Sequence, residues 1–178
     1  METLGRLVDS LQYEVRLEEA LFVSHHNVML RRELATDRPA AFNSDLANSL
    51  NNLSLRLSDV GQREEALSAI KEAVILYREL AKDRLAAFNP NLASSLNNLS
   101  ARLSDVGQRE EALNAIEEAV ILRRELAKDR PAAFNPGLAQ SLDNLSRWLT
   151  SDSPEERTSS EFARSGLNAA GRSFASSR

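Results

Sequence analysis

The chain has 178 residues, a hydrophobic content of 42%, a formal net charge of −4 and no cysteine. Disulfide and thiolate chemistry are therefore excluded, and the lack of cysteine fits a reducing, cytoplasmic location. The net negative charge gives no general attraction to nucleic acid or anionic membranes, and no apolar run approaches the roughly 18–20 residues that span a bilayer.

Residues 1–36 carry the first, degenerate trace of a sequence that recurs along the chain. Glu18-Glu19-Ala20-Leu21 lies 46 residues before Glu64-Glu65-Ala66-Leu67. We therefore predict that Glu2–Tyr13 and Val15–Ala35 form a degenerate helical hairpin that caps an array of repeats. Terminal repeats are commonly atypical because one of their faces meets solvent.

Two nearly identical segments, residues 37–82 and 83–128, occupy the centre of the chain. They differ at 8 of 46 positions. Tandem repeats of this length indicate a helical solenoid, in which each copy packs only on its neighbours. A third copy starts at Asp129 and then decays, so residues 129–174 are predicted to form a degenerate last repeat, before a disordered tail at residues 175–178.

Each repeat is predicted to contain two helices. Asn89-Pro90 predicts the start of the first helix, with Asn as the cap and Pro at the first helical position. Gly107 is predicted to adopt the left-handed conformation that ends this helix. Arg109-Glu110-Glu111 predicts the start of the second helix, because carboxylates are favourable at a helix N-terminus. The first helix carries an apolar stripe at helical spacing, formed by Leu92, Leu96, Leu99 and Leu103.

The segment RRELAKDRPAAFNP joins one repeat to the next. We interpret it as an extension of the second helix followed by a short turn, in which Phe42, Phe88 and Phe134 fill the gap between repeats. In the last repeat, Ser153-Pro154-Glu155-Glu156 forms a capping box that predicts the start of a final helix. Its buried stripe would be Ala163, Leu167, Ala170 and Phe174.

These residues resemble a known family. The run Leu96-Asn97-Asn98-Leu99-Ser100, followed by Leu103, Gly107, Ala112, Ile116 and Ala119, resembles a tetratricopeptide repeat of the longer, kinesin-light-chain-like variety. The resemblance implies an all-α fold: an α-solenoid of antiparallel helical hairpins wound into a right-handed superhelix. A period of 46 residues, rather than about 34, also lies in the HEAT and armadillo range. The spacing of the glycine and the small alanines favours the tetratricopeptide interpretation.

The resemblance also implies a binding surface. In such arrays the first helices line a concave surface along which peptides lie, and here they carry a ladder of polar side chains that ends in an arginine and a tryptophan. An asparagine amide can both donate and accept hydrogen bonds, as a peptide backbone requires. The candidate ligand-binding residues are Asn51, Asn52, Asn97, Asn98, Asp143, Asn144, Arg147 and Trp148.

Two alternatives to ligand binding stay open for these residues. One asparagine of each pair can instead bond a neighbouring helix and fix the stacking of repeats. Trp148, with Arg147, is either an aromatic anchor for a partner or a cover for the exposed end of the array. The first-helix positions of the family's basic carboxylate clamp are Asn48, Ser94 and Gln140 here, and none is basic. We therefore predict that the chain does not bind chaperone tails.

The sequence favours a non-enzymatic module that binds a protein or peptide, with no cofactor. It has no glycine-rich phosphate loop and no nucleophile elbow. His25 and His26 point about 100° apart on a helix, so they cannot easily share a metal. The alternative function is homotypic assembly, because nearly identical repeats allow one chain's end to continue the array of another.

Overall fold

The computed structural model describes residues 2–151, with side chains from Tyr13 to Thr150 except those of Asp83, Leu85 and Ala86. This range contains six α-helices and no strand, which confirms the predicted all-α fold. The helices are α1 (Glu2–Asp37), α2 (Pro39–Asp59), α3 (Arg63–Asp83), α4 (Leu85–Asp105), α5 (Arg109–Asp129) and α6 (Pro131–Ser151). The final helix predicted from Ser153 lies outside the described residues.

Consecutive helices pack on one another in order, α1 on α2, α2 on α3, α3 on α4 and α4 on α5, as in an α-solenoid of tetratricopeptide type. The chain divides into two compact units, Met1–Ser141 and Leu142–Arg178, and these packing contacts belong to the first. Within it, α2 and α4 are first helices and α3 and α5 are second helices of two hairpins.

The repeat length has a simple structural origin. Each first helix and each second helix contains 21 residues. A three-residue turn, Val60-Gly61-Gln62, joins the helices of one hairpin, and the single residue Arg84 joins that hairpin to the next. The period of 46 residues therefore reflects two helices of equal, extended length.

The predicted start of the first helix is wrong. Leu85 begins α4, so Asn89 is the fifth residue of the helix and Pro90 lies inside it. The backbone carbonyl of Arg84 accepts the amides of Ala87 and Phe88, at 3.1 and 3.2 Å, and so starts the helix before Pro90 is reached. The proline at the first helical position is instead Pro39 in α2, in the place that Leu85 takes in α4.

The three phenylalanines consequently lie in first helices rather than in a turn. Phe42, Phe88 and Phe134 are half-buried near the N-termini of α2, α4 and α6. The guanidinium groups of Arg38 and Arg130 lie over the rings of Phe42 and Phe134, each 5.1 Å from the ring centroid. Arg38 and Arg130 therefore each start the next helix through a backbone carbonyl and cover its aromatic ring.

The glycine turn is confirmed. Gly61 and Gly107 both have φ of +78°. In the second turn, Gln108 N–H donates to the carbonyl of Leu103 at 2.8 Å and Gly107 N–H donates to Ser104 at 2.9 Å. This pair of bonds is the Schellman motif, which satisfies carbonyls left free at the helix end. The second helices then begin at Arg63 and Arg109.

The predicted N-terminal hairpin is wrong, because one helix, α1, spans Glu2–Asp37. Val15 stands in the interior of this helix, where the later copies have a turn glycine. A branched residue adopts positive φ only at a high cost, so the chain has no means of making the same turn there. The second half of α1 packs on α2 as α3 packs on α4, and α1 therefore takes the place of a second helix.

The glycine turn gives a first prediction. Replacing Gly107 by Ala should lower the free energy of unfolding by about 1–2 kcal/mol, because an L side chain is disfavoured in left-handed backbone. A Cβ atom at Gly107 would meet nothing within 4 Å, so a steric clash contributes nothing. Gly107→Asn should lose less, because asparagine tolerates this conformation better. Urea unfolding measures both; equal losses would contradict the conformational explanation.

Candidate functional site

The exposed side of α2 and α4 forms one continuous polar stripe in each helix. Asn48, Asn52 and Leu55 are exposed on α2, at spacings of four and three residues, and Ser94 and Asn98 occupy equivalent places on α4. Residues at such spacings share one side of a helix. We call these five residues the first-helix face.

The first asparagine of each pair lies beside this face and holds neighbouring repeats together. Asn51 Nδ2 donates to Ser95 Oγ at 2.6 Å, and one repeat later Ser141 Oγ donates to Asn97 Oδ1 at 3.3 Å. Ser95 and Ser141 are fully buried. These bonds are the ones expected if Asn51 and Asn97 fix the stacking of neighbouring repeats.

The second asparagine of each pair points to solvent. Asn52 is exposed, and its amide makes no hydrogen bond to any residue that the structure describes. Asn98 is exposed as well, and its Nδ2 donates to Asn51 Oδ1 across a long 3.4 Å. Two amides at equivalent places in successive repeats are therefore available to a ligand.

The remaining candidate residues belong to α6 and to the second compact unit, which begins at Leu142. Asp143 and Arg147 are exposed, whereas Asn144 and Trp148 are half-buried. Within this unit the backbone carbonyl of Asp143 accepts a hydrogen bond from Ser146 Oγ at 2.9 Å.

Sequence reasoning missed a set of polar contacts that join the repeats. Positions 31, 77 and 123 are equivalent by the 46-residue spacing, and in each case a long polar side chain of a second helix reaches the next first helix. We call these three contact sets the repeat joints. The second-helix residue is an arginine in the first and third joints and a tyrosine in the second, whereas the facing residue differs in all three: Asp45, Asn91 and Gly137.

The first joint is an ion pair. Arg31 Nη1 lies 3.1 Å from the carboxylate of Asp45. Its Nε also donates to Asn27 Oδ1 at 2.7 Å. Because both charged side chains are partly exposed, the pair contributes little to stability, in the range of about 0–1 kcal/mol.

The second joint is neutral. Tyr77 is fully buried, and its hydroxyl donates to Asn48 Oδ1 at 2.6 Å. Asn91 Nδ2 donates in turn to the Tyr77 hydroxyl at 3.4 Å. Burial raises the pKa of the Tyr77 phenol, and the hydrogen bond from Asn91 partly offsets this increase. The phenol therefore stays neutral and bridges two first helices.

The third joint contains a cation without an anion. Arg123 is only 8% exposed. Its Nη2 donates to Ser94 Oγ at 3.2 Å and its Nη1 donates to the backbone carbonyl of Gly137, so both acceptors are neutral. Burial lowers the pKa of the Arg123 guanidinium, although an arginine stays charged in proteins. A comparison of the repeats, position by position, would have found this joint, because positions 45, 48 and 77 are among the eight at which the two copies differ.

Other kinds of site find no support in the described part of the chain. No group of three His, Asp or Glu side chains there is placed to hold a metal ion. His25 and His26 are both exposed, and His26 Nδ1 lies 3.0 Å from the backbone carbonyl of Phe22. Among helices α1 to α6, none has a stretch apolar and long enough to traverse a bilayer.

Comparisons with known proteins agree with this architecture. Residues 46–84 and 92–131 match the family described as "Tetratricopeptide repeat". Among solved structures, the chain is similar to BtubC (BKLC) from P. vanneervenii, a kinesin-light-chain-like repeat protein, with 22% sequence identity and a TM-score of 0.53. The alignment covers 73% of this chain and 50% of that one, so this chain spans about half the length of its structural relative. No curated protein sequence matches.

The neighbouring asparagines offer a direct test of their different places. Asn51→Ala should lower the free energy of unfolding by about 1–2 kcal/mol, because it leaves the buried Ser95 hydroxyl without its partner. The matched variant Asn52→Ala should change stability by less than about 0.5 kcal/mol, as surface substitutions usually do. Urea unfolding gives the free energy of unfolding of both variants. Equal losses would show that the Asn51–Ser95 bond does not stabilise the stacking of repeats.

Proposed function

Because residues 46–84 and 92–131 match the tetratricopeptide repeat family, we propose that the chain is a non-enzymatic interaction module that binds a peptide or an extended protein segment along the first-helix face. The observation that carries the proposal is the pair of exposed amides at Asn52 and Asn98, equivalent by one repeat. Tetratricopeptide repeats are typically interaction scaffolds rather than catalysts. We also propose that the protein is cytoplasmic.

The chemistry of an amide suits an extended peptide. A peptide backbone offers one donor and one acceptor per residue, and an asparagine side chain can complement both regardless of the peptide's sequence. Asn51 and Asn97, which are hydrogen-bonded between repeats, fix the helices that carry Asn52 and Asn98. Fixed ligand-binding groups lose less conformational entropy on binding, which favours affinity.

The opposite, second-helix side of the repeats has a different character. Two ion pairs join its successive second helices: Arg32 lies 2.8 Å from Glu72, and one repeat later Arg78 lies 2.5 Å from Glu118. Groups that are satisfied within the protein have less to offer a ligand. Leu55, 46% exposed beside Asn52, adds apolar contact area to the first-helix face.

The residues of α6 extend the proposal beyond the first compact unit. We include Asp143, Asn144, Arg147 and Trp148 among the proposed ligand-binding residues. Asp143 and Asn144 occupy the places of the asparagine pairs by the 46-residue spacing, and Arg147 and Trp148 follow one turn later on the same helix. Tryptophan and arginine are frequent hot spots at interfaces, so Trp148→Ala and Arg147→Ala variants extend the binding test described next.

The binding proposal is tested with a random peptide library and the intact chain. A peptide selected by the chain should bind the double variant Asn52→Ala/Asn98→Ala about tenfold more weakly, because two backbone hydrogen bonds are lost. The matched control is Asn114→Ala, which removes an exposed asparagine from the second helix α5. Fluorescence anisotropy gives the dissociation constants. Unchanged affinity in the double variant would contradict the first-helix face as the binding surface.

A second candidate function, homotypic assembly, is favoured by an exposed apolar stripe on α1. Val23, Leu30 and Leu34 are exposed, and Leu30 reaches 62%. The equivalent residues of α3, which are Ala69, Leu76 and Leu80, are buried or half-buried. Helix α3 packs on both α2 and α4, whereas α1 packs on α2. The exposed stripe of α1 therefore corresponds to the side of a second helix that normally contacts the first helix of the same hairpin. We propose that a first helix of a second copy covers it, continuing the array.

Light scattering coupled to size exclusion, over a hundredfold range of concentration, tests assembly. The mass of the wild type should rise above 19.7 kDa with concentration, and Leu30→Glu should abolish the rise, because it places a charge in an apolar contact. Ile75→Glu is the matched control: Ile75 is 60% exposed, at a place on α3 outside this stripe. A steady 19.7 kDa in the wild type would contradict assembly.

A further inference from the structure

We infer that the third repeat joint is a subsite for a carboxylate, supplied by an acidic side chain of a peptide lying along the first-helix face. The inference rests on the proposed function and adds the chemistry of the ligand. The subsite consists of Arg123, which supplies the charge, and Ser94, the residue of the first-helix face to which the guanidinium donates a hydrogen bond.

A comparison of the three repeat joints shows that the third joint lacks an anion. At the first joint, the position that faces the second-helix side chain holds Asp45, whose carboxylate pairs with Arg31. At the second joint this position holds Asn91, and the second-helix residue is the neutral Tyr77 instead of an arginine. At the third it holds Gly137, while the second-helix residue is again an arginine. Only the third of these joints therefore combines a cation with no anion.

The guanidinium of Arg123 is also incompletely bonded. It has five N–H donors in a planar fork, and its two acceptors are a hydroxyl and a backbone carbonyl. No carboxylate pairs with it among the described residues, and removing an unpaired charge from water is unfavourable. A carboxylate is the acceptor that fits this fork best, through two parallel hydrogen bonds.

The position of Ser94 connects the charge to the proposed ligand. Ser94 is exposed and precedes Asn98 by four residues, so both side chains lie on one side of α4. A peptide whose backbone bonds Asn98 would therefore place a neighbouring side chain over Ser94. The carboxylate of that side chain would pair with Arg123 as the Asp45 carboxylate pairs with Arg31.

A purely structural role for Arg123 would make a different prediction. The second joint shows that a tyrosine at this position can bridge the same elements without a charge. If Arg123 served folding alone, Arg123→Tyr would weaken neither peptide binding nor acid selectivity. If it binds a ligand carboxylate, the same substitution leaves the chain folded and removes the selectivity for acidic side chains.

Three variants, each with a precedent in this chain, separate these outcomes. Gly137→Asp supplies a carboxylate within the chain, as Asp45 does for Arg31. Gly137→Asn is its matched neutral control, as Asn91 is in the second joint. Arg123→Tyr makes the joint neutral. A Cβ atom at residue 137 would lie 3.2 Å from Nη1 of Arg123, which is the far end of a flexible side chain and can shift.

The experiment selects peptides from a random library whose C-termini are blocked, so that only side chains supply carboxylates. The wild type and Gly137→Asn should enrich Asp or Glu at one fixed place in the peptide, whereas Gly137→Asp and Arg123→Tyr should not. In a selected, amidated peptide, replacing that Glu by Gln should weaken binding to the wild type about tenfold and leave binding to Arg123→Tyr unchanged.

The possible failures are distinguishable. Peptides selected by the wild type without any acidic preference would overturn the subsite and leave the proposed function standing. If no variant selects any peptide, the proposed function is wrong, and thermal unfolding in sodium acetate then decides the subsite. Acetate, compared with chloride at equal ionic strength, should raise the Tm of Gly137→Asn and not that of Gly137→Asp; an equal effect on both variants would overturn the subsite.

Discussion

The close approach of each second helix to the first helix before it is the constraint on which the other contacts depend. Ala66, Ala73, Ala112 and Ala119 are fully buried along α3 and α5. Small side chains allow the helix axes to approach, and at this distance Ser54 Oγ can donate to the backbone carbonyl of Ala66, at 2.8 Å. That bond helps to fix the register of α2 and α3. Once the register is fixed, equivalent residues of successive hairpins come to equivalent places, and Asn51 can meet Ser95.

The repeat joints show how a nearly uniform scaffold carries local differences. The two middle copies share their core, turn and stacking residues, so their few differences change the surface and the joints without altering the packing. Positions 45, 48 and 77 differ together between the copies; Tyr77 bonds Asn48, and the charge of Asp45 contributes to the raised pKa of Tyr77. An ion pair, a phenol bridge and a lone guanidinium thus occupy the same framework. The second and third joints each contact a residue of the first-helix face, Asn48 and Ser94 respectively.

The sequence predicted the features that local chemistry decides. The end of α4 follows from Gly107, because one residue with positive φ suffices to stop a helix. The start of α4 did not follow in the same way. Asn89-Pro90 is a favourable capping pair, yet α4 begins further upstream, at Leu85. All three first helices start in the same way, because the carbonyl of the preceding arginine, Arg38, Arg84 or Arg130, accepts the first backbone amides.

The parts of the site that escaped prediction depend on contacts between distant residues. Asn51 and Asn52 are identical in type and adjacent in sequence, so no local rule tells which one stacks and which one faces solvent. The side chain of Arg123 meets Ser94 and Gly137 only after three helices have packed. The helical period can place these residues near one another only when the helix bounds are known. Because the sequence predicted a wrong start for α4, this proximity could not be predicted.

An internal repeat nevertheless supplies a comparison that a single domain does not. A residue shared by all copies is explained by the fold that the copies share, such as Gly61 and Gly107 with their common φ of +78°. A residue that has the same identity as an equivalent in another repeat but lacks that residue's partner is not explained by the shared fold alone. Arg123 faces Gly137 where Arg31 faces Asp45, and Leu30 of α1 is exposed where Leu76 of α3 is half-buried. The proposed contacts with a ligand carboxylate and with a second copy therefore start from differences between the repeats, one electrostatic and one apolar.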